Sequence, residues 1–315
     1  MMDNYGFYTG KSFDAYEFFG CHTDENGAVF RVFAPAAVRI SVIGEFNGWQ
    51  DTPMNKIGDG NFWAVYIEGV KPGQMYKYKI YKPDGSCMDH CDPYGYGMEL
   101  RPASASIVRN LYGYEFQDDA WMKKRSNGVA SALNIYEIHA GSWKKPQNGW
   151  YRYDELAMQL VPYLKEYGYN YIELLPIGEH PCDESWGYQC SGFYSPTSRY
   201  GTLDDYKKMI DILHHNDIGV IMDFVPVHFA LDAYALAKFD GTALYEYPHK
   251  DVGNSEWGSC NFMHSRGEVR SFLQSCANYW LKEYHVDGLR MDAISNMIYW
   301  QGNPARGVNK DAVAF

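Results

Sequence analysis

The sequence of 315 residues lacks long apolar runs, an apolar leader segment and an excess of basic residues. A membrane-spanning helix needs about 20 apolar residues in a row, so we expect no membrane span. The opening stretch MMDNYGFYTGKSFDAYEFFG has no basic segment followed by an apolar one, which predicts a soluble protein without an export signal. Lys and Arg number 28 against 39 Asp and Glu. A nucleic-acid surface needs clustered basic residues, so we expect no nucleic-acid partner.

Closely spaced cysteine pairs are absent as well. Seven cysteines are scattered along the chain without a C-x-x-C motif, and an odd number does not suit a disulfide framework. The stretch CMDHC brings Cys87, His90 and Cys91 together, but no second ligand pair follows at a zinc-site spacing. We therefore expect reduced thiols, a cytoplasmic protein, and neither a metal nor a cofactor.

Aromatic residues, in contrast, are abundant, at 17% of the chain. Their flat apolar faces suit the C–H sides of sugar rings, although most of them are expected in the core. The composition is therefore compatible with a neutral, polyhydroxylated partner. The length suggests two domains, because about 100 to 200 residues form one domain.

The first domain is predicted at residues 16–108, after an N-terminal tail at 1–15. Short alternating segments are separated by turn signals such as FNGW, GDGN and KPGQ, and this spacing is typical of an immunoglobulin-like β-sandwich. The predicted strands lie at residues 29–35, 38–44, 62–70 and 75–80.

The second domain is predicted at residues 131–315, after a linker at 109–130. Four apolar runs alternate with three amphipathic helices, which predicts a parallel sheet with right-handed crossovers. An open doubly wound sheet and a β/α barrel both fit, but no G-x-G-x-x-G follows the first strand, which weakens a dinucleotide fold. Four strands cannot close a barrel, so we interpret this region as the first half of a (β/α)8 barrel and the chain as an N-terminal fragment. The runs lie at residues 133–141, 169–177, 218–227 and 286–294.

Charged and aromatic side chains collect where these strands end, which is where barrel enzymes build active sites. Asp223 and His228 follow the third strand. Arg290 and Asp292 lie two residues apart in the fourth, so they share one strand face. A structural salt bridge would explain that pair equally well. The long loop at 178–201 adds further candidates: Trp186, Tyr188, Tyr194 and Arg199.

Several motifs resemble those of the α-amylase family of glycoside hydrolases, specifically the 1,4-α-glucan (glycogen) branching enzymes. In the second domain these are SWGYQCSGFYSPTSRYGT, DFVPVHF and DGLRMDAISNMIY. In the first domain, GEFNGW, YKYKI and RPASASIV resemble that subfamily's glucan-binding sandwich. The resemblance implies an α-glucan substrate, amylose or glycogen, and a transfer that cuts α-1,4 links and re-forms them as α-1,6 branches.

The resemblance also implies residue roles. Asp292 would be the catalytic nucleophile and Arg290 its partner, since a nearby guanidinium favours an ionised carboxylate. A retaining transfer needs a second carboxyl as acid/base, which in this family is a Glu after the fifth strand. A four-stranded fragment is therefore expected to be inactive alone. The implied substrate-binding residues are Tyr188, Asp223, His228 and Tyr194.

Alternatives remain at this stage. A hydrolase of the same family, debranching or trehalose-releasing, and a non-catalytic glucan-binding fragment are both open. Val227 stands where general amylases carry a calcium-holding Asn, which predicts no calcium. Packing is an equally open role for Tyr194, Arg199 and Trp186, while Glu179 and Asp183 are expected to be solvated. The oligomeric state is left open.

Overall fold

A computed structural model describes residues 2–125 and 132–313 of the chain. The end of the predicted linker and the first residue of the predicted second domain, 126–131, lie outside the described residues. The described chain begins with α1 (Asn4–Thr9) and continues into a two-sheet sandwich. Its strands are β1 (Gly20–Thr23), β2 (Gly27–Phe33), β3 (Arg39–Gly44), β4 (Thr52–Pro53), β5 (Asn55–Ile57), β6 (Phe62–Glu68), β7 (Met75–Tyr81), β8 (Cys87–His90) and β9 (Ser106–Ile107).

The two sheets of the sandwich are antiparallel and pack face to face. One has the order β1-β2-β6-β5, and the other has the order β4-β3-β7-β8 with β9 beside β7. The alternation read from the sequence is present in β7, where Tyr76, Tyr78 and Ile80 are buried and the residues between them are not. The predicted β-sandwich is therefore confirmed, and the four predicted strands correspond to β2, β3, β6 and β7.

The second unit alternates strands and helices. Strands β10, β11, β14 and β17 form one parallel sheet in that order, so the predicted parallel sheet is confirmed. Each strand is shorter than the apolar run that predicted it, because the flanking residues turn into loops. The elements are α2 (Asp119–Lys124), β10 (Ile135–Ile138), α3 (Tyr153–Tyr167), β11 (Tyr171–Leu174), β12 (Gly178–Glu179), β13 (Gly192–Pro196), α4 (Leu203–His215), β14 (Gly219–Phe224), β15 (His228–Phe229), α5 (Lys250–Gly253), β16 (Cys260–Asn261), α6 (Gly267–Glu283), β17 (Gly288–Met291), α7 (Ile294–Ile298) and α8 (Lys310–Val313).

Local chemistry sets the ends of the crossover helices. At the start of α4, the Thr202 hydroxyl accepts from the Asp205 backbone N–H, while the Asp205 carboxylate accepts from the Thr202 N–H at 2.8 Å. This reciprocal pair satisfies donors that a helix start leaves free. Gly168 ends α3 with φ of 73°, a left-handed conformation that glycine adopts without steric cost.

The first fifteen residues are more than the predicted tail. Phe7 in α1 is buried, and the Ser271 hydroxyl of α6 donates to its carbonyl at 2.9 Å. Tyr16, the first residue of the predicted sandwich, is also buried, and its hydroxyl donates to Glu283 at 2.6 Å. This segment therefore joins the sandwich to the outer helix of the parallel sheet.

The predicted linker is also structured where it is described. In α2, the Trp121 indole donates to Asp287 at 2.9 Å and stacks on the ring of His214 at 5.0 Å. His214 bonds to Asp118 through one ring nitrogen and to Asp287 through the other. These contacts attach the segment before the second unit to the amino ends of β14 and β17.

No helix within residues 2–125 and 132–313 is long and apolar enough to cross a membrane. All seven cysteines lie in these ranges and are free thiols.

Candidate active site

Asp223 and Arg290 are register partners on neighbouring parallel strands, near the carboxyl ends of β14 and β17. The Arg290 guanidinium donates to Asp223 at 3.3 Å and to Asp292 at 2.6 Å. Asp292 follows β17 directly, and its backbone N–H donates to the Phe224 carbonyl at 2.9 Å. One cation therefore joins two carboxylates, as the two-residue spacing predicts. Partial burial lowers the pKa of Arg290, but the two carboxylates outweigh this effect, and the pKa is raised overall.

Tyr188 reaches this cluster from the loop between β12 and β13. Its hydroxyl donates to Asp223 at 2.6 Å, so one carboxylate oxygen accepts from both Tyr188 and Arg290. The preceding Gly187 has φ of 90°, and a side chain there would meet the Pro176 carbonyl oxygen at 2.3 Å. Only glycine allows this loop to approach the end of β11 closely enough to place the ring.

His228 lies in β15, beside the same carboxylates. Its side chain is buried, and its ring lies 5.2 Å from the ring of Trp257. Burial lowers the pKa of His228 to about 4, so the imidazole is neutral at physiological pH. Its Nδ1 atom has no hydrogen-bond partner among the described residues. A neutral imidazole can both donate to and accept from sugar hydroxyls.

Asp223 is 2% exposed, and one of its carboxylate oxygens has no partner among the described residues. Burial raises the pKa of Asp223 to about 6, although the Tyr188 hydroxyl and the Arg290 charge oppose this. The unpaired oxygen and the desolvated carboxyl are both suited to accepting hydrogen bonds from a bound hydroxylated ligand.

The raised pKa predicts how stability depends on pH. A carboxyl that holds its proton more tightly when folded stabilises the fold fully below its unfolded pKa, and this contribution is lost as the pH rises through about 6. An amide at this position does not titrate. Relative to wild type, Asp223→Asn should therefore gain about 2 kcal/mol in free energy of unfolding between pH 4 and pH 7. Urea denaturation at a series of pH values measures this, and a difference that stays constant with pH would refute it.

Tyr188, His228 and Asp292 border an open cleft of about 310 Å³, which we call the reaction cleft. Trp257 was missed by the sequence analysis. It is 45% exposed and lies in a turn held by a 2.6 Å bond between the hydroxyls of Ser255 and Ser259. An exposed Trp in the Gly- and Ser-rich stretch SEWGS was the available signal. The lining residues are Ser185, Tyr188, Gln189, His228, Trp257 and Asp292.

Tyr194 is not brought to the cleft, which corrects its assignment as a substrate-binding residue. The side chain is fully buried, and its hydroxyl donates to the Phe272 carbonyl at 2.7 Å. Its ring lies 4.9 Å from that of Tyr94. Because β13 directs this residue toward α6 and the sandwich, it packs the junction between the two units.

Arg199 has a structural role, and the expectation that Glu179 is solvated is wrong. The Arg199 guanidinium is 2% exposed and contacts Glu179 at 2.7 Å and Asp183 at 2.6 Å. Burial raises the pKa of Glu179. Hydrogen bonds from Arg101 and Arg199 hold the pKa of Asp183 far below its usual range. This network fixes the loop that carries Tyr188.

The arrangement presents one carboxylate, Asp292, to the cleft, with a guanidinium against it and an aromatic ring and a neutral imidazole nearby. A carboxylate in that setting is suited to nucleophilic attack on a sugar carbon. Five of the six predicted site residues are brought together.

Two family models match the chain. The model for carbohydrate-binding module 48 (isoamylase N-terminal domain) matches residues 18–95, and the model for the alpha amylase catalytic domain matches residues 157–251. These ranges correspond to the sandwich and to the part of the parallel sheet that contains α3, α4 and β14.

Curated relatives match over the whole chain. The 1,4-alpha-glucan branching enzyme GlgB of Fusobacterium nucleatum subsp. nucleatum is 45% identical over 318 residues, which cover 100% of this chain and 52% of that protein. The enzyme of the same name from Bacillus caldolyticus is 45% identical over 324 residues, covering 100% of this chain and 49% of that protein. The chain therefore spans about half the length of the curated relatives it matches.

Solved structures share the fold. A pullulanase from Bacillus acidopullulyticus matches with a TM-score of 0.71 and 23% identity, over 88% of this chain and 38% of that one. A pullulanase from Paenibacillus barengoltzii matches with a TM-score of 0.69 and 20% identity, over 87% and 47%. The chain is thus a homologue of the 1,4-alpha-glucan branching enzymes, with a sandwich that matches carbohydrate-binding module 48 followed by the start of an alpha amylase catalytic domain.

Proposed function

We propose that this chain carries the nucleophile and part of the sugar-binding site of a 1,4-α-glucan branching enzyme, acting on amylose or glycogen. The observation that carries the proposal is the cluster in which Arg290 joins Asp292 and Asp223 beside Tyr188. The identity to branching enzymes over the whole chain supports the same conclusion.

In the proposed reaction, a carboxylate oxygen of Asp292 attacks the anomeric carbon while the α-1,4 C–O bond breaks. The leaving hydroxyl takes a proton from a carboxylic acid, which the family resemblance assigns to a Glu after the fifth strand. A primary hydroxyl of an acceptor chain then attacks the glycosyl ester and releases Asp292. The hydroxyl gives its proton to the Glu carboxylate that protonated the leaving group in the first step. Two inversions leave the anomeric configuration unchanged, as the new α-1,6 link requires.

The other residues hold the reacting sugar in this proposal. The face of Tyr188 stacks on the sugar, and its hydroxyl keeps Asp223 oriented. Asp223 and the neutral His228 bond to sugar hydroxyls through atoms that have no hydrogen-bond partner within the described part of the chain. Arg290 keeps Asp292 ionised and in position.

Incubation of amylose with the full-length protein that contains this chain tests the proposal. We expect new α-1,6 linkages, detected by proton NMR, without a net increase in reducing ends. Rising reducing ends without new α-1,6 linkages would assign a hydrolase instead. Glucan binding without either product would indicate a non-catalytic binding protein.

The role of Tyr188 gives a prediction of its own. Tyr188→Ala removes the ring and should lower kcat/KM by about 100-fold, while Tyr188→Phe keeps the face and should cost about tenfold or less. Steady-state kinetics on amylose measure both. Equal losses in the two variants would show that the hydroxyl bonded to Asp223, rather than the ring face, carries the effect.

A cytoplasmic location is also part of the proposal. The free state of all seven cysteines supports a reducing compartment.

A further inference from the structure

The loop between β12 and β13 separates the reaction cleft from a second one. The second cleft measures about 260 Å³ and lies on the β10 side of the loop. Ser185 lines the reaction cleft, while its neighbours Glu184 and Trp186 line the second. The opposite wall follows β10 and includes His139 and Trp150. The proposed reaction does not use this second cleft.

Trp186 combines a strained backbone conformation with a large apolar side chain that is exposed to solvent. Its φ is 53°, in the left-handed region that disfavours a residue with a Cβ atom. Its side chain is 57% exposed, so core packing does not compensate for the backbone conformation. The ring faces the second cleft, 6.5 Å from the ring of His139. Strained residues of this kind concentrate at binding sites.

The conformation of Trp186 is enforced by its neighbours. Its backbone N–H donates to the Asp183 carbonyl at 3.1 Å, and the Asp183 carboxylate is held by Arg199. The following N–H, of Gly187, donates to the Ser185 hydroxyl at 3.3 Å. The ring is therefore presented on a rigid support, which lowers the cost of ordering it around a ligand.

The charges around the second cleft favour a neutral ligand. The Arg199 donors are occupied by Glu179, Asp183 and Thr197. His180 is buried and neutral at physiological pH, since burial lowers its pKa to about 4. Two of the lining residues, Asp183 and Glu184, are carboxylates. Lys145, the other cation of the lining, is exposed to solvent, so two cations and two carboxylates balance and no net charge favours an ionic ligand over a neutral one.

The remaining chemistry suits a sugar. The Trp150 ring packs edge-on against the Tyr200 ring at 6.2 Å, so its position is also fixed. Two indole rings among polar side chains offer flat apolar faces and hydrogen-bonding groups together, as a carbohydrate ring requires.

We propose that the second cleft is an accessory sugar-binding subsite, in which Trp186 and Trp150 hold a part of an α-glucan chain remote from the reacting sugar. The choice of ligand rests on the proposed function. The subsite extends the bound length of chain beyond the sugars that the reaction cleft itself holds.

Trp186→Gly is the sharpest test, because glycine accepts φ of 53° without strain. It should be studied in full-length protein carrying Asp292→Asn, so that no ligand is consumed. By calorimetric titration we expect Trp186→Gly to weaken maltoheptaose about tenfold and to leave maltotriose unchanged. The Tm should stay the same or rise, because glycine relieves the backbone. A lower Tm with equal weakening of both ligands would assign a structural role and overturn the proposal.

Two further variants complete the experiment. Trp150→Ala should give the same loss for maltoheptaose alone. Tyr167→Ala, which removes a ring of similar exposure (58%) from the end of α3, should change neither affinity. If full-length wild type forms α-1,6 links but Trp186→Gly binds maltoheptaose normally, the subsite is refuted and the branching function stands. If no α-1,6 links form but maltoheptaose binding depends on Trp186, the branching function fails and the subsite stands.

Discussion

Asp292→Asn should lower glucan transfer by the full-length enzyme by several orders of magnitude. An amide cannot form the glycosyl ester, so the step that stores the transferred chain is lost rather than slowed. The fold should be retained, because an amide oxygen at the same place can still accept from Arg290, which lies 2.6 Å away in wild type. Formation of α-1,6 linkages from amylose is the measurement.

The matched control is Glu256→Gln, next to Trp257 but outside the residues that line the reaction cleft. It makes the same chemical change, and we expect activity within about twofold of wild type, as for surface substitutions in general. Branching by Asp292→Asn near the wild-type rate, with its fold verified by circular dichroism, would rule out Asp292 as the nucleophile.

Arg199→Ala should cause the largest loss of stability among the substitutions considered. The buried guanidinium neutralises Glu179, whose carboxylate is 4% exposed. Removing one partner of a buried ion pair typically costs about 3–5 kcal/mol, because the remaining charge stays desolvated. Chemical denaturation of wild type and variant gives this difference directly.

Arg101→Ala provides the comparison for Arg199. Arg101 also donates to Asp183, with its Nε at 2.7 Å, but its side chain is 36% exposed. Water can replace this interaction, so we expect a cost of about 1 kcal/mol or less. If the two variants lost equal stability, burial of the Glu179–Arg199 pair would not be the cause.

The fold was readable from the sequence because its signals are local. The alternation in β7 and the spacing of apolar residues in α4 each record which side of an element is buried. The ends of elements were less accurate. The run at 286–294 became the four-residue strand β17, because Ala293 takes a left-handed conformation with φ of 50° and the chain enters α7 at Ile294.

The site was readable only in part. Arg290 and Asp292 were accessible because strand geometry fixes side-chain direction over two residues. Tyr194 was misplaced because its six-residue separation from Tyr188 does not show that β13 turns it into the junction. Trp257 was missed because its place beside His228 depends on a turn far along the chain. Contacts of this kind depend on tertiary packing, which no local pattern records.

The helix α1 limits how the sandwich can be exchanged between proteins. Phe7 lies 5.1 to 5.8 Å from the rings of Phe19, Phe33 and Phe62, so it completes the apolar cluster of the sandwich. The backbone of the same residue accepts from α6 of the barrel. Recombination at the sandwich boundary would open that cluster and leave a helix face of the barrel bare. The sandwich is therefore not an interchangeable module: it can be inherited or grafted intact only together with the short helix before it and a barrel that fits that helix.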